Sequence, residues 1–226
     1  MGYNERLSVL QTQFDQRQHT DVNDLAIVVD SIEELDGLSE AQIATLAAAA
    51  DSRGLLGKWV IPMVNFTGHP LLGSLTNRGL RERIMKNSLI KGARDNDNDV
   101  RDIVKEFVSL RAKRAELFGF KNHAEYVISN QTAGTPTNVH GMLRRIAPAA
   151  VRNARAEAAD IEKAMGEGSV ESWDWDFYTE KVRLEKYNVD TSKFKPYFEL
   201  ERVLWDGVFW AATKLFGIKF VERKDL

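Results

Sequence analysis

Cysteine is absent from this 226-residue sequence, which excludes a disulfide framework and any thiolate site for zinc or iron–sulfur. Histidine is sparse as well. None of the four (His19, His69, His123, His140) has a second histidine three or four residues away, so no helix-borne metal pair exists. Neither sign of charge dominates. A formal net charge of −2 leaves no global field to hold nucleic acid or an anionic membrane. Long apolar runs are missing: the longest small-apolar patch, Ile43 to Ala50, is broken by Thr45 and is far too short to span a bilayer. The first residues are amphipathic rather than a basic segment followed by an apolar block, and Arg6 stands where a myristoylation motif needs Ser or Thr. Without a secretory signal, the sequons at Asn65 and Asn130 are chance matches. No glycine-rich phosphate loop and no G-x-S-x-G elbow occurs. These absences point to a cytoplasmic protein with no nucleic-acid or membrane partner.

What is present reads as helix. With 43% hydrophobic and 28% charged residues the composition is that of an ordinary globular chain. A compact chain of this length buries about 70% of its extended surface. The spacing predicts a helix over 3–18 through Leu7, Leu10 and Phe14. Ala26 to Val29 is a short apolar run of strand or extended type. Ser39 and Gln42 form a capping box for an Ala-rich helix that ends at Gly54. Residues 58–65, KWVIPMVN, read as an edge strand because of Pro62. Thr76 is placed to cap a helix to about Lys91. A longer helix follows from Asp99 to Leu117, and a short one starts at Asn122. Thr135-Pro136 opens a helix of about thirty residues that carries Pro148 inside it. Ser172 opens a tryptophan-rich helix to about Tyr187, and a polar connector leads on to Tyr197. Glu199 to Phe216 is an amphipathic helix with Leu200, Val203, Leu204, Val208, Ala211 and Leu215 on one face. Ile218 to Val221 alternates like the start of a strand. The fold class is therefore mainly α: a multi-helix array with one or two short strands, around 58–65 and 218–221. No internal linker is visible, so residues 1–226 read as a single helical region, and both termini read as cuts through structure.

The chemical candidates are weak. His123-Ala124-Glu125 matches the H-x-E of zinc deaminases, but those also need a P-C-x-x-C that a cysteine-free chain cannot supply. Asp95, Asp97, Asp99 and Glu106 fall at calcium-loop positions. Val100 occupies the glycine position, however, and Arg101 and Lys105 add positive charge, so these carboxylates read as helix-capping groups. Arg144, Arg145, Arg152 and Arg155 make a basic side on one helix, followed closely by Glu157, Asp160 and Glu162, which reads as a solvated mixed-charge surface. Trp173, Trp175, Phe177, Tyr178, Tyr187, Trp205 and Trp210 read as packing residues, with a peptide-lining groove as the sharper alternative.

Several segments carry a resemblance: LDGLSEAQIATLAAAADSRGLLGKWVIPM (35–63), LRAKRAELFGFKNHAEYVISNQTAGTP (110–136), and WDWDFYTEKVRLEKY followed by KPYFELERVLWDGVFWAATKLFGIKFVER. Together they resemble the thimet-oligopeptidase family of zinc metallopeptidases, in its bacterial peptidyl-dipeptidase (dipeptidyl carboxypeptidase) branch. The resemblance implies a two-lobed, mostly helical enzyme with a channel for short peptides. It also implies zinc held by H-E-x-x-H and a later glutamate, with a zinc-bound water as nucleophile. No H-E-x-x-H occurs here. The expectation is an internal portion, roughly the middle third, of such a peptidase. That portion has no catalytic, cofactor-binding or metal residue of its own, no cofactor in this chain, and no activity alone. Its partners would be short peptides and the missing catalytic lobe of the same protein, with self-association through exposed apolar surface. The alternative is a non-catalytic helical module that binds peptides or proteins.

Overall fold

A computed structural model describes residues 2–63, 69–188 and 191–224. Its elements follow local signals closely. Helix α1 (Tyr3–Asp24) starts where the Glu5 carboxylate accepts the free N–H of Gly2. It runs six residues beyond the predicted end because Leu25 still bonds back to Asp21. Strands β1 (Ile27–Val29) and β2 (Trp59–Ile61) pair antiparallel, with Ile27 opposite Ile61 and Val29 opposite Trp59. Period-two alternation puts Ile27 and Val29 inside and leaves Val28 outward. Helix α2 (Glu40–Asp51) has the predicted reciprocal box: Gln42 N–H donates to Ser39 Oγ, and Ser39 N–H donates to Gln42 Oε1 at 2.9 Å.

Helix α3 (Arg78–Leu89) is capped by Asn77, not by Thr76. Thr76 is otherwise engaged. Its hydroxyl donates to Asp36 Oδ2 at 2.6 Å and its N–H to the Asp36 carbonyl at 3.0 Å, tying the loop before α2 to the start of α3. Gly37 makes that approach feasible. It sits at φ +91°, and a Cβ there would lie 2.1 Å from the Ser74 carbonyl oxygen.

Helices α4 (Arg101–Leu117), α5 (His123–Ile128), α6 (Pro136–Met165) and α7 (Trp175–Tyr187) follow. Asn122 and Thr135 cap α5 and α6 as predicted, and α6 runs through Pro148 without being split. The polar connector before the last helix is made of 3-10 turns over Thr191–Phe198. The last helix is a composite: α8 (Leu200–Arg202), a π-helical stretch Val203–Phe209, and α9 (Trp210–Phe216), ended by Gly217 in the left-handed conformation.

Two expectations about strands are corrected. The strand predicted over 58–65 is confined to 59–61, with residues 64 and 65 outside the described set, and its partner is the run at 27–29. Ile218 to Val221 is not a strand. Alternation alone does not make one: a strand needs a ladder partner, and none is present among the described residues. Phe220 instead stacks on Phe209 with ring centroids 4.1 Å apart.

Contacts divide the chain into two units, 1–182 and 183–226, the division falling inside α7 rather than at a linker. In the first unit the main core joins β1, α2, β2 and α3 through Val29, Leu46, Ile61 and Ile84, with Leu35, Leu72 and Leu75 from the connections between them. A smaller cluster packs α1 on α4 through Leu10, Val100 and Ile103. Among the described residues of the second unit none is buried.

Candidate functional site

Two carboxylates among the described residues are fully enclosed, and one of them lies between two arginines. Asp174, 0% exposed, lies just before α7. It accepts from Arg78 Nη2 at 2.7 Å, from Arg81 Nη2 at 2.9 Å and from the Glu171 N–H at 3.2 Å. Burial works to raise its pKa, but the hydrogen bonds from Arg78 and Arg81 outweigh it and hold the carboxyl below its ordinary range. Arg81 itself is 1% exposed. Its remaining N–H groups go to the carbonyls of Trp173, Leu75 and Thr76, and its guanidinium lies 4.2 Å from the Phe177 ring centroid. Each nitrogen of the buried Arg81 guanidinium donates to the protein, so the cluster reads as a clamp rather than a ligand site. A second buried carboxylate, Asp21, accepts from the Gly92 N–H at 2.7 Å and from Arg94. The sequence offers no sign of either cluster, because a charge destined for the interior is written with the same residue as a charge on the surface.

Of the acidic loop only Asp99 caps α4, its Oδ1 accepting from the Arg101 N–H at 3.0 Å, while the N-cap position itself is Val100. Asp95 and Asp99 both accept from the Arg101 guanidinium, and these hydrogen bonds hold the Asp99 carboxyl far below its ordinary range. Glu106 is taken by Arg6 in a bidentate pair, at 2.6 and 2.7 Å, and cannot close a calcium loop. The loop borders an open cleft of about 770 Å³ that Arg17, Arg101 and Lys105 also line. Three cations among the carboxylates disfavour a metal there.

The histidines are dispersed. His19 and His140 are exposed. His69 is buried, with Nδ1 accepting from the Leu71 N–H at 3.2 Å and Nε2–H donating to the Pro62 carbonyl at 3.1 Å. Burial is the main cause that pushes its pKa down. His123 lies against Tyr126, and burial together with Arg111 and Arg114 lowers its pKa. Among the described residues no group of three His, Asp or Glu side chains could hold a metal ion.

The aromatic residues sort into two local sets. In the first unit Trp173 packs against the main core and Phe177 meets Tyr178 edge to face. In the second, Trp205 donates to Glu201 Oε2 at 3.1 Å and meets Phe209 edge to face. Leu204, Trp205, Phe209 and Phe220 line a cleft of about 230 Å³ beside the π-helical stretch. An apolar groove of about 260 Å³ also runs between α1 and α4, lined by Phe14, Ile103, Val104, Phe107 and Val108. Nothing in either groove pairs a nucleophile with a base. The arginines of α6 are exposed, with no ion pair formed among the described residues.

Comparison with known proteins gives a consistent result. The family model described as peptidase family M3 matches residues 71–226. The dipeptidyl carboxypeptidase of Escherichia coli K12 is 41% identical over 227 residues, covering 99% of this chain and 33% of its own length. That of Salmonella typhimurium LT2 is 38% identical over the same shares. Oligopeptidase A of Haemophilus influenzae is 27% identical, covering 98% of this chain and 33% of its own length. The chain thus spans about a third of the length of the relatives it matches.

Proposed function

This chain belongs to peptidase family M3, and on that premise we propose that it is scaffold of a zinc metallopeptidase of the dipeptide-releasing branch, inactive when alone. The observation that carries this reading is the pairing of near-complete coverage of this chain with coverage of only 33% of the two relatives named dipeptidyl carboxypeptidase. The higher identity to those relatives than to oligopeptidase A favours dipeptide release over internal cleavage. The zinc that the family implies does not fit the residues present. The sequence holds no H-E-x-x-H, and no three donors converge among the described residues. Zinc, the activated water and the peptide's scissile bond would all belong to a lobe that this chain contacts rather than contains. The lack of cysteine fits a reducing, cytoplasmic setting.

The last helix supports the same reading over that of an independent binding module. Its apolar stripe is left open, with Leu200 and Leu215 exposed by 72% and 75%. A stripe of that kind is normally buried against another element. The reading has the catalytic lobe as its cover, and self-association as the outcome when the chain is alone.

A preparation of verified intact mass tests the proposal by metal analysis and peptide hydrolysis with and without chelator. The expected result is no stoichiometric zinc and no chelator-sensitive release of dipeptides. Finding both would overturn it.

A further inference from the structure

The groove between α1 and α4 has a cationic end that no carboxylate neutralises. The two helices are held as a fixed pair. Arg6 forms its bidentate pair with Glu106, Arg114 Nη1 donates to Asn4 Oδ1 at 3.0 Å, and Leu10 packs with Val100 and Ile103. The groove beside that contact is therefore formed before anything enters it. Phe14, Phe107 and Val108 are among its walls, and Gln11 and Arg111 are its polar lining residues, so the lining carries one cation and no carboxylate. Arg111 is the last lining residue along α4. Its guanidinium lies 4.2 Å from the Phe107 ring centroid and has no hydrogen bond or ion pair among the described residues. Arg114 follows three residues on, and the charges of both arginines act on the His123 ring. Arg114 Nε and His123 Nδ1 are enclosed without a hydrogen-bond partner among the described residues. Three nitrogen-bearing side chains thus meet at one end of an apolar groove.

We infer that this groove binds a carboxylate carried on a single apolar chain, with the head at Arg111 and the chain along Phe107 and Val108. A guanidinium with uncommitted N–H groups matches a carboxylate in a bidentate pair. The volume, about 260 Å³, is just under the range of pockets for drug-sized ligands, about 300–1,000 Å³, which limits the occupant to one short chain. A polypeptide fits less well. The backbone groups of α1 and α4 are committed to their own helical ladders, so Gln11 alone would meet the amides of a peptide laid in the groove. An acyl chain has no such groups to satisfy. The inference does not depend on the proposed function, because both helices and the groove lie within this chain.

Decanoate, titrated into the full chain below the concentration at which it forms micelles, tests the assignment by calorimetry and by NMR shift changes. The expected result is saturable binding of one decanoate per chain, with shifts confined to α1, α4 and His123. Decan-1-ol should bind on the order of tenfold more weakly or worse, and Arg111→Gln should weaken decanoate by as much. Arg111→Lys should keep part of the affinity. Val108→Asp should abolish binding, while Leu215→Asp in the last helix leaves it unchanged. Unaltered unfolding of each free variant establishes that the fold is intact. No saturable binding, equal binding of alcohol and acid, or no effect of Arg111→Gln would overturn the inference. Shifts spread over the exposed apolar residues of α6 and the last helix would mark general adsorption and overturn it as well. A short peptide with an apolar last residue that binds the same groove more tightly than decanoate would assign it to polypeptide ends, and the inference would fall.

Discussion

Asp174 and Arg81 show what one buried charge pair asks of its surroundings. Removing the carboxylate with Asp174→Ala leaves the guanidinium of Arg81 enclosed without a counter-ion. The expected loss is about 3–5 kcal/mol, read as a lowered denaturant midpoint. Arg78→Ala should cost less, because Arg78 is half in solvent and Arg81 still satisfies the carboxylate. Equal losses from the two variants would show that Arg81 is not the partner that matters. His69 supplies a pH dependence. Its folded pKa lies below the ordinary value of 6.5, mainly through burial, so the ring is held neutral while Nδ1 caps Leu71. The stabilisation from that neutral ring is complete above 6.5 and fades as the pH falls through the lower folded value. Unfolding curves should therefore weaken between neutral and mildly acidic pH, and His69→Asn should remove that part of the slope. Asparagine can still accept from Leu71 but has no proton to gain in this range.

At the scale of elements, local chemistry carried far. The boxes and caps at Ser39, Asn122 and Thr135 could be read directly, because a cap involves only residues three or four apart. The cap of α3 was misplaced by one residue, since Thr76 is engaged by Asp36, forty residues earlier in the chain. Helix α6 offers a clean element-scale test. Pro148 sits in its exposed middle, where it removes one intrahelical hydrogen bond and crowds the preceding turn. Pro148→Ala should raise helicity and slow amide exchange in the surrounding turns, with a gain of up to about 3 kcal/mol in local helix stability. An unchanged exchange rate would mean that α6 already absorbs the proline without loss. The π-helical stretch in the last helix left no trace in the sequence, where the apolar spacing of Leu200 to Leu215 fits an ordinary α-helix.

For the whole molecule, the distribution of the core predicts unequal autonomy. All buried apolar residues among those described lie at or before Phe177. A chain stopped after Asn188 should keep a cooperative unfolding transition close to that of the full chain. The excised peptide 189–226 should show none, because its helices have no enclosed face to hold them. A cooperative transition in the peptide alone would show that this segment folds by itself and would weaken the scaffold reading.

The sequence by itself determined the helical class, most of the caps, the family and the absence of a zinc motif. Periodicity, capping and motif spacing are local properties and need no knowledge of neighbours. Only the tertiary structure decided that Asp174 meets arginines more than ninety positions away, that Glu106 belongs to Arg6, and that Ile218 to Val221 is no strand. It alone showed that the apolar sides of α6 and of the last helix are open. Pairing and burial depend on what folds back from distant parts of the chain, and the amino-acid code at one position carries no record of it.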